Sequence, residues 1–212
     1  MRYILTGLLL AAVSVHAQTK NDVGFSIGAV LPPDPGATAT LAPPHGTNIS
    51  FGTGVAFEAN YARTVLNHKR YALEVEFPLL AVPSEDIGSK FAGNVPRNFA
   101  SLFITPSLRV RLLPQHRLSP WASIGGGYAR YAESSSLQDG TANPYPRGTN
   151  TGALQYGVGA DYRIGNIPGP ISLPISLRAE ARNLYSGDPS LNIHDGVGRN
   201  HPFVTGGFVL HF

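Results

Sequence analysis

Ser190, His194 and Asp195 fall in one short stretch near the end of the chain, with His201 close behind. A hydroxyl, an imidazole and a carboxylate are the parts of a nucleophilic relay. Such a relay needs the base within about 3 Å of the nucleophile and a third group to orient the base. No spacing here forces that geometry, and exposed loop histidines account for the same residues. Asp188 and Asp195 offer hard oxygen ligands that would hold calcium weakly, although loop aspartates more often close turns. The seven histidines are scattered, and no pair has ligand spacing with a carboxylate partner. Neither a metal site nor a cofactor is expected, and the chain is not expected to be an enzyme.

A second set of reactive side chains has the regularity that the first lacks. Arg178, Glu180 and Arg182 alternate with Leu177, Ala179 and Ala181, and Ile175 and Ser176 extend the pattern. The faces swap at every residue, which is the period of a β-strand. Eight such strands are predicted: Asp22–Val30, Phe51–Val65, Tyr71–Val82, Phe99–Leu113, Trp121–Tyr131, Gly152–Ile164, the run from Ile175, and Pro202–Phe212. The connections Leu31–Ser50, Pro83–Asn98, Ala132–Thr151 and Ser186–His201 are long. Those at Leu66–Arg70, Pro114–Ser119 and Gly165–Ser172 are shorter. Such two-sided asymmetry is what a transmembrane β-barrel shows.

Composition narrows the class. Charged residues make 14% of the chain, against the ~25% of an ordinary soluble domain. The 24 glycines and 18 prolines suit many short strands joined by turns. There is no cysteine, hence no disulfide framework and no thiolate metal site. No basic run suggests nucleic acid. Arg2, the apolar stretch Ile4 to Val15, and Val15-His16-Ala17 read as a secretory signal over residues 1–17 that is cut before Gln18. The stretch is too short to span a bilayer as a helix, which takes about 20 apolar residues. Residues 18–212 are then one β-barrel domain.

The strand charges suggest which face sees water. Glu58, Glu74, Glu76, Asp161 and Glu180 share the polar parity with Arg109, Arg111, Arg130, Arg163, Arg178 and Arg182, whereas Lys20, Lys69 and Lys90 all fall outside the strands. Arginine with carboxylates and no lysine points to bidentate pairing in a confined interior. The expectation is a lumen filled by these eleven side chains, with the apolar parity turned to lipid. Gly157 and Gly159 on the polar parity would leave room for them. Trp121 to Tyr131 spans about 25 Å at ~40° tilt, the height of an apolar band. The two rings are expected at opposite interfaces on the lipid face, with Tyr61, Tyr71 and Tyr162 near the turn-side ends. The competing fold is a secreted soluble β-sandwich or lipocalin-like barrel, whose apolar face would turn to its own core.

The run Pro120-Trp121-Ala122-Ser123-Ile124-Gly125-Gly126-Gly127-Tyr128-Ala129-Arg130-Tyr131 resembles the fifth strand of the small OmpA/OmpX-like outer membrane barrels. Gly157-Val158-Gly159-Ala160-Asp161-Tyr162-Arg163 looks like their sixth strand. Phe208, Leu210 and Phe212 are similar to the C-terminal signal read by the barrel assembly machinery. The resemblance covers essentially the whole of residues 18–212. It implies an all-β fold, an eight-stranded antiparallel up-and-down transmembrane β-barrel in the outer membrane, in contact with outer membrane lipids. With no segment after Phe212, the periplasmic peptidoglycan-binding domain of OmpA is expected to be missing. An eight-stranded barrel is just wide enough to be filled by side chains. The expected role is therefore structural or surface interaction through four long extracellular loops and an extracellular ligand. A narrow porin-like ion channel is the first alternative. The second is a lipid-modifying enzyme, although the His-x-Ser signature of lipid A deacylases is missing.

Overall fold

The computed structural model describes residues 20–31, 49–89, 95–144, 148–169, 172–187 and 198–212. The signal-like segment, the terminal relay candidates Ser190, His194 and Asp195, the calcium candidate Asp188 and Lys90 lie outside these residues.

Among the described residues the chain forms ten strands: β1 Asn21–Val30, β2 Ile49–Phe51, β3 Gly54–Asn67, β4 Tyr71–Ser89, β5 Asn98–Ile104, β6 Ser107–Leu112, β7 Leu118–Glu133, β8 Gly148–Ile167, β9 Leu173–Ser186 and β10 Arg199–His211. All pairings are antiparallel. β5 and β6 are two halves of one stave. The break falls at Thr105-Pro106, where proline has no N–H to give to a sheet. Both halves pair with β4 on one side and β7 on the other. β2 is a short strip on the far end of β4. The order β4-β3-β1-β10-β9-β8-β7-β5/β6 returns to β4, so the ring has eight staves running up and down. The seam pairs β1 with β10, from Asp22 opposite His211 to Val30 opposite Phe203. Closure satisfies every edge of the ring, which is the condition for strands to cross lipid.

The predicted strands are present, and two connections differ from expectation. The described residues of the predicted loop Pro83–Asn98 are largely strand. β4 continues to Ser89 and pairs with β2 and with Asn98 and Phe99 of β5. Pro83 is accommodated because the register shifts between Val82 and Glu85, where no N–H is required of it. The segment 134–144 folds back onto this extension. The Gln138 N–H donates to Val95 O at 2.9 Å, and Arg97 N–H donates to Ser136 O at 3.1 Å. The Gln138 side-chain amide also bonds Ile87 O, and Leu137 is buried at this junction.

The alternation sorts the side chains radially. Phe25, Ile27, Val55, Phe57, Leu108, Leu154, Val158, Leu177, Val204 and Phe208 point outward and are exposed, Ile124 at 69%. Fully burying one such side chain is worth roughly 1.5–3 kcal/mol. An apolar surface of this extent, wrapped round a charged interior, is stable against lipid and not against water. Tyr61, Tyr71 and Tyr162 lie outward at the turn end, and Tyr128 and Tyr185 toward the other. Leu118 pairs with Tyr162, and Tyr128 is ten residues further along β7, about 25 Å at ordinary barrel tilt. The apolar band therefore has membrane height: this is a membrane β-barrel.

Candidate functional site: the lumen

The lower lumen, toward the short turns, is an ion-pair network built from cross-strand neighbours. Glu74 stands opposite Arg109 across β4 and β6, and Asp161 opposite Arg178 across β8 and β9. Such opposed charges are the unit of pairing in a sheet. Arg109 is fully buried. Its Nε bonds Glu74 at 2.5 Å, while its two terminal nitrogens lie 3.3 Å from Asp22 and Glu76. Arg178 holds Asp161 bidentately at 2.7 and 2.9 Å. Arg182 spans the interior to Glu76 at 2.9 Å and also meets Glu180 at 3.0 Å and Glu58 at 3.4 Å. Arg111 bonds Asp22 and lies 3.1 Å from Glu74. Fork-shaped guanidiniums suit this task because each serves two or three carboxylates at once.

Trp121 sits inside this network. Its ring is faced by the guanidinium carbons of Arg109, Arg178 and Arg182 at 5.3, 5.3 and 5.0 Å. Its room comes from Gly159, where a Cβ would lie 2.5 Å from the indole. Gly157 does the same for Arg182, whose Cγ would be 2.8 Å from an added Cβ. Both glycines thus serve close approach.

Nine of the eleven predicted charges line the lumen: Glu58, Glu74, Glu76, Arg109, Arg111, Asp161, Arg178, Glu180 and Arg182. Arg130 and Arg163 do not, and both are exposed. Arg130 shares its parity with the outward Ile124 and Tyr128, so the faces of β7 are the reverse of those expected. Trp121, at 3% exposure, and Tyr131, at 0%, therefore point inward and not to lipid. Ser119 and Ser123 on the parity of Trp121 carry the signal that could have shown this. Arg163 follows the last inward carboxylate of β8, Asp161, and lies at the barrel rim beside a register shift.

Sequence reasoning missed two members. Asp22 accepts from Arg111 and lies 2.6 Å from His211 Nδ1, whose Nε2 meets Ser176 Oγ at 2.8 Å. The parity of Asp22 opposite Val23 and Phe25, and of His211 opposite Leu210, marks both as inward. Among the described residues the lower network is thus six carboxylates against four arginines and a histidine, not five against six, and Glu85 is a further buried carboxylate toward the loop end.

Above the charges is a polar layer. Gln155 accepts from Thr105 and Ser107 at 3.1 and 2.7 Å and donates to Ser123 at 2.9 Å. Above that, the lumen is lined mainly by apolar side chains, with Glu85, Ser186 and His201 buried at the same end. Phe103 packs against Tyr131 and Phe203 with ring centroids at 5.8 and 5.7 Å, surrounded by Val30, Leu80, Val82 and Leu184. His201, the remaining relay candidate, is buried here, 2.9 Å from Tyr131 Oη and 3.2 Å from Ser186 Oγ. Among the described residues no group of three or more His, Asp or Glu is arranged to hold a metal.

Phe208 points to the lipid side, and Leu210 and Phe212 share its parity at the turn end, half-buried. No described helix is long and apolar enough to cross a membrane.

The eight-stave antiparallel ring with its apolar outer face is the fold of small outer membrane barrels of known structure. Neisserial surface protein A is similar over 93% of this chain and 100% of its own, at 13% identity and a TM-score of 0.52. OprG from Pseudomonas aeruginosa is similar over 93% of this chain and 97% of its own, at 12% identity and a TM-score of 0.53. No family model matches the chain, and no curated protein matches its sequence.

Proposed function

We propose that the protein is exported by a cleaved signal and inserted as an outer membrane barrel that is closed to diffusion. Its role is structural, or one of surface interaction through the loop end. The observation that supports this reading is the two-part lumen, in which buried ion pairs below are capped by packed aromatic and aliphatic side chains above. A conducting path would need a continuous wet route, and the cap around Phe103 interrupts it. The partners proposed are outer membrane lipids, the barrel assembly machinery at Phe208, Leu210 and Phe212, and an extracellular ligand at the loops. No nucleic acid is proposed. The protein is also proposed to carry no enzymatic activity, since His201 is committed to Tyr131 and Ser186 in a packed interior.

Purified protein in planar bilayers is expected to give no steady single-channel steps. Reproducible steps that change with Glu74→Ala or Arg109→Ala would replace this reading with the narrow ion channel. Recovery from cells without detergent, in the soluble periplasmic fraction, would remove the membrane reading.

A further inference from the structure

The charged side chains exposed at the turn end of the barrel are of a single sign among the described residues. Lys20, Arg63, Lys69, Arg70, Arg117 and Arg163 are exposed there. None is in an ion pair with a described residue, and no Asp or Glu side chain among the described residues is exposed at that end. Asp22 and Asp161, the nearest carboxylates, are 6% and 3% exposed and turned into the lumen. The exposed acids Asp86 and Asp139 are at the opposite end.

The cations are spread round the rim and not gathered in one patch. Thr64 N–H donates to Lys20 O at 2.7 Å, which sets Lys20 beside Arg63. Arg163 N–H donates to Arg117 O at 2.7 Å, which joins the β6–β7 turn to the end of β8. Leu113 N–H donates to Arg70 O at 2.9 Å, which joins the β3–β4 turn to the same β6–β7 turn. Each group also borders an outward tyrosine. Arg63 is two residues beyond Tyr61, Arg70 precedes Tyr71, and Arg163 follows Tyr162. Aromatic rings of this kind sit at headgroup depth, and long basic side chains reach from the belt margin to the polar layer.

We propose that this rim is a collar for anionic phospholipid headgroups in the leaflet on the turn side. The inference rests on the membrane-barrel reading and adds a lipid preference to it. Continuity with the apolar belt favours lipid over a protein partner, because an arc running from β1 through the β3–β4 and β6–β7 turns to β8 meets a leaflet along most of the circumference. Six exposed basic side chains, with no exposed acidic side chain among them, favour an anionic headgroup over a zwitterionic one.

The test is lipid selectivity at the barrel perimeter. The refolded chain is placed in phosphatidylcholine vesicles with and without phosphatidylglycerol, and spin-labelled versions of each lipid report the relative association constant. Heat-modifiable migration reports insertion separately. Phosphatidylglycerol is expected to be preferred several-fold, up to about fivefold per charge engaged. The preference should fall toward unity at ~1 M salt, where the screening length is about 3 Å. It should also fall in Arg63→Gln/Arg70→Gln/Arg117→Gln/Arg163→Gln, while Arg130→Gln at the far end leaves it unchanged. Insertion with no preference, or a preference that survives both salt and the four substitutions, overturns the collar and leaves the barrel standing. Failure to insert into either vesicle overturns both. The salt titration needs no variant and holds if the fourfold variant does not fold.

Discussion

Arg109 is the side chain on which most of the lumen leans. Asp22, Glu74 and Glu76 converge on it, and none of the four has appreciable access to water. Removing one partner from a buried network leaves uncompensated charge, which costs about 3–5 kcal/mol. Arg109→Met is therefore expected to destabilise the barrel by that amount in urea unfolding from vesicles. A loss under about 1 kcal/mol would mean that water reaches the three carboxylates and that the plug is loose. Most of this network was legible in the sequence, because arginines and acids shared a strand parity from which lysine was absent. The errors have one physical source. A charge on a strand was taken to face the lumen, yet Arg130 stands on the outer face near one margin of the band, where that face is polar again, and Arg163 keeps the inward parity but lies beyond the end of the lumen at the turn-side rim. Asp22 and His211 were legible by parity and lost by proximity to a strand end.

At the level of elements, period-two patterning located all eight staves, because each strand is half apolar and half polar through the band. Their ends were less legible. Pro83 reads as a breaker, and the structure places it where the pairing register slips, so β4 runs on to Ser89. Pro106 conversely splits one predicted strand into β5 and β6. The β7–β8 connection looked like a solvated loop, yet Leu137 and Gln138 dock it onto the β4–β5 hairpin, which no local pattern announces. Its tip is held by Asp139, which accepts from the Thr141 hydroxyl at 2.6 Å and the Thr141 N–H at 2.8 Å. The hydroxyl, then the N–H, hold this carboxyl below the usual aspartate range. The pair is thus intact above the ordinary aspartate pKa and is lost as pH falls through the lowered value. Carboxyl carbon shifts followed by NMR should titrate below free aspartate. Thr141→Val should move the midpoint upward, and an unchanged midpoint would mean that the tip contact is absent in solution.

Across the whole molecule, the inversion of polarity was readable in the sequence while the layering of the interior was not. Leu80, Val82, Phe103 and Phe203 face inward, but in the sequence they simply extend apolar runs. A run apolar on both parities does not say which of its faces is enclosed. The seam has a similar character. The Asp22–His211 contact joins residues 189 apart, and the backbones of Asn21 and Phe212 pair beside it, so barrel closure depends on very long-range pairing. Trp121, the chain's one tryptophan, gives that closure an optical signature. The indole is enclosed on the inner side of the wall among three guanidiniums, so its emission reports lumen assembly with no background from a lipid-exposed fluorophore. Brominated acyl chains and aqueous acrylamide should both leave the folded barrel nearly unquenched, and acrylamide should quench only on unfolding. Strong quenching by brominated lipid would put the indole back on the outer face. The residue misassigned to the lipid surface thus becomes a reporter blind to lipid and sensitive to the sealing of the ring.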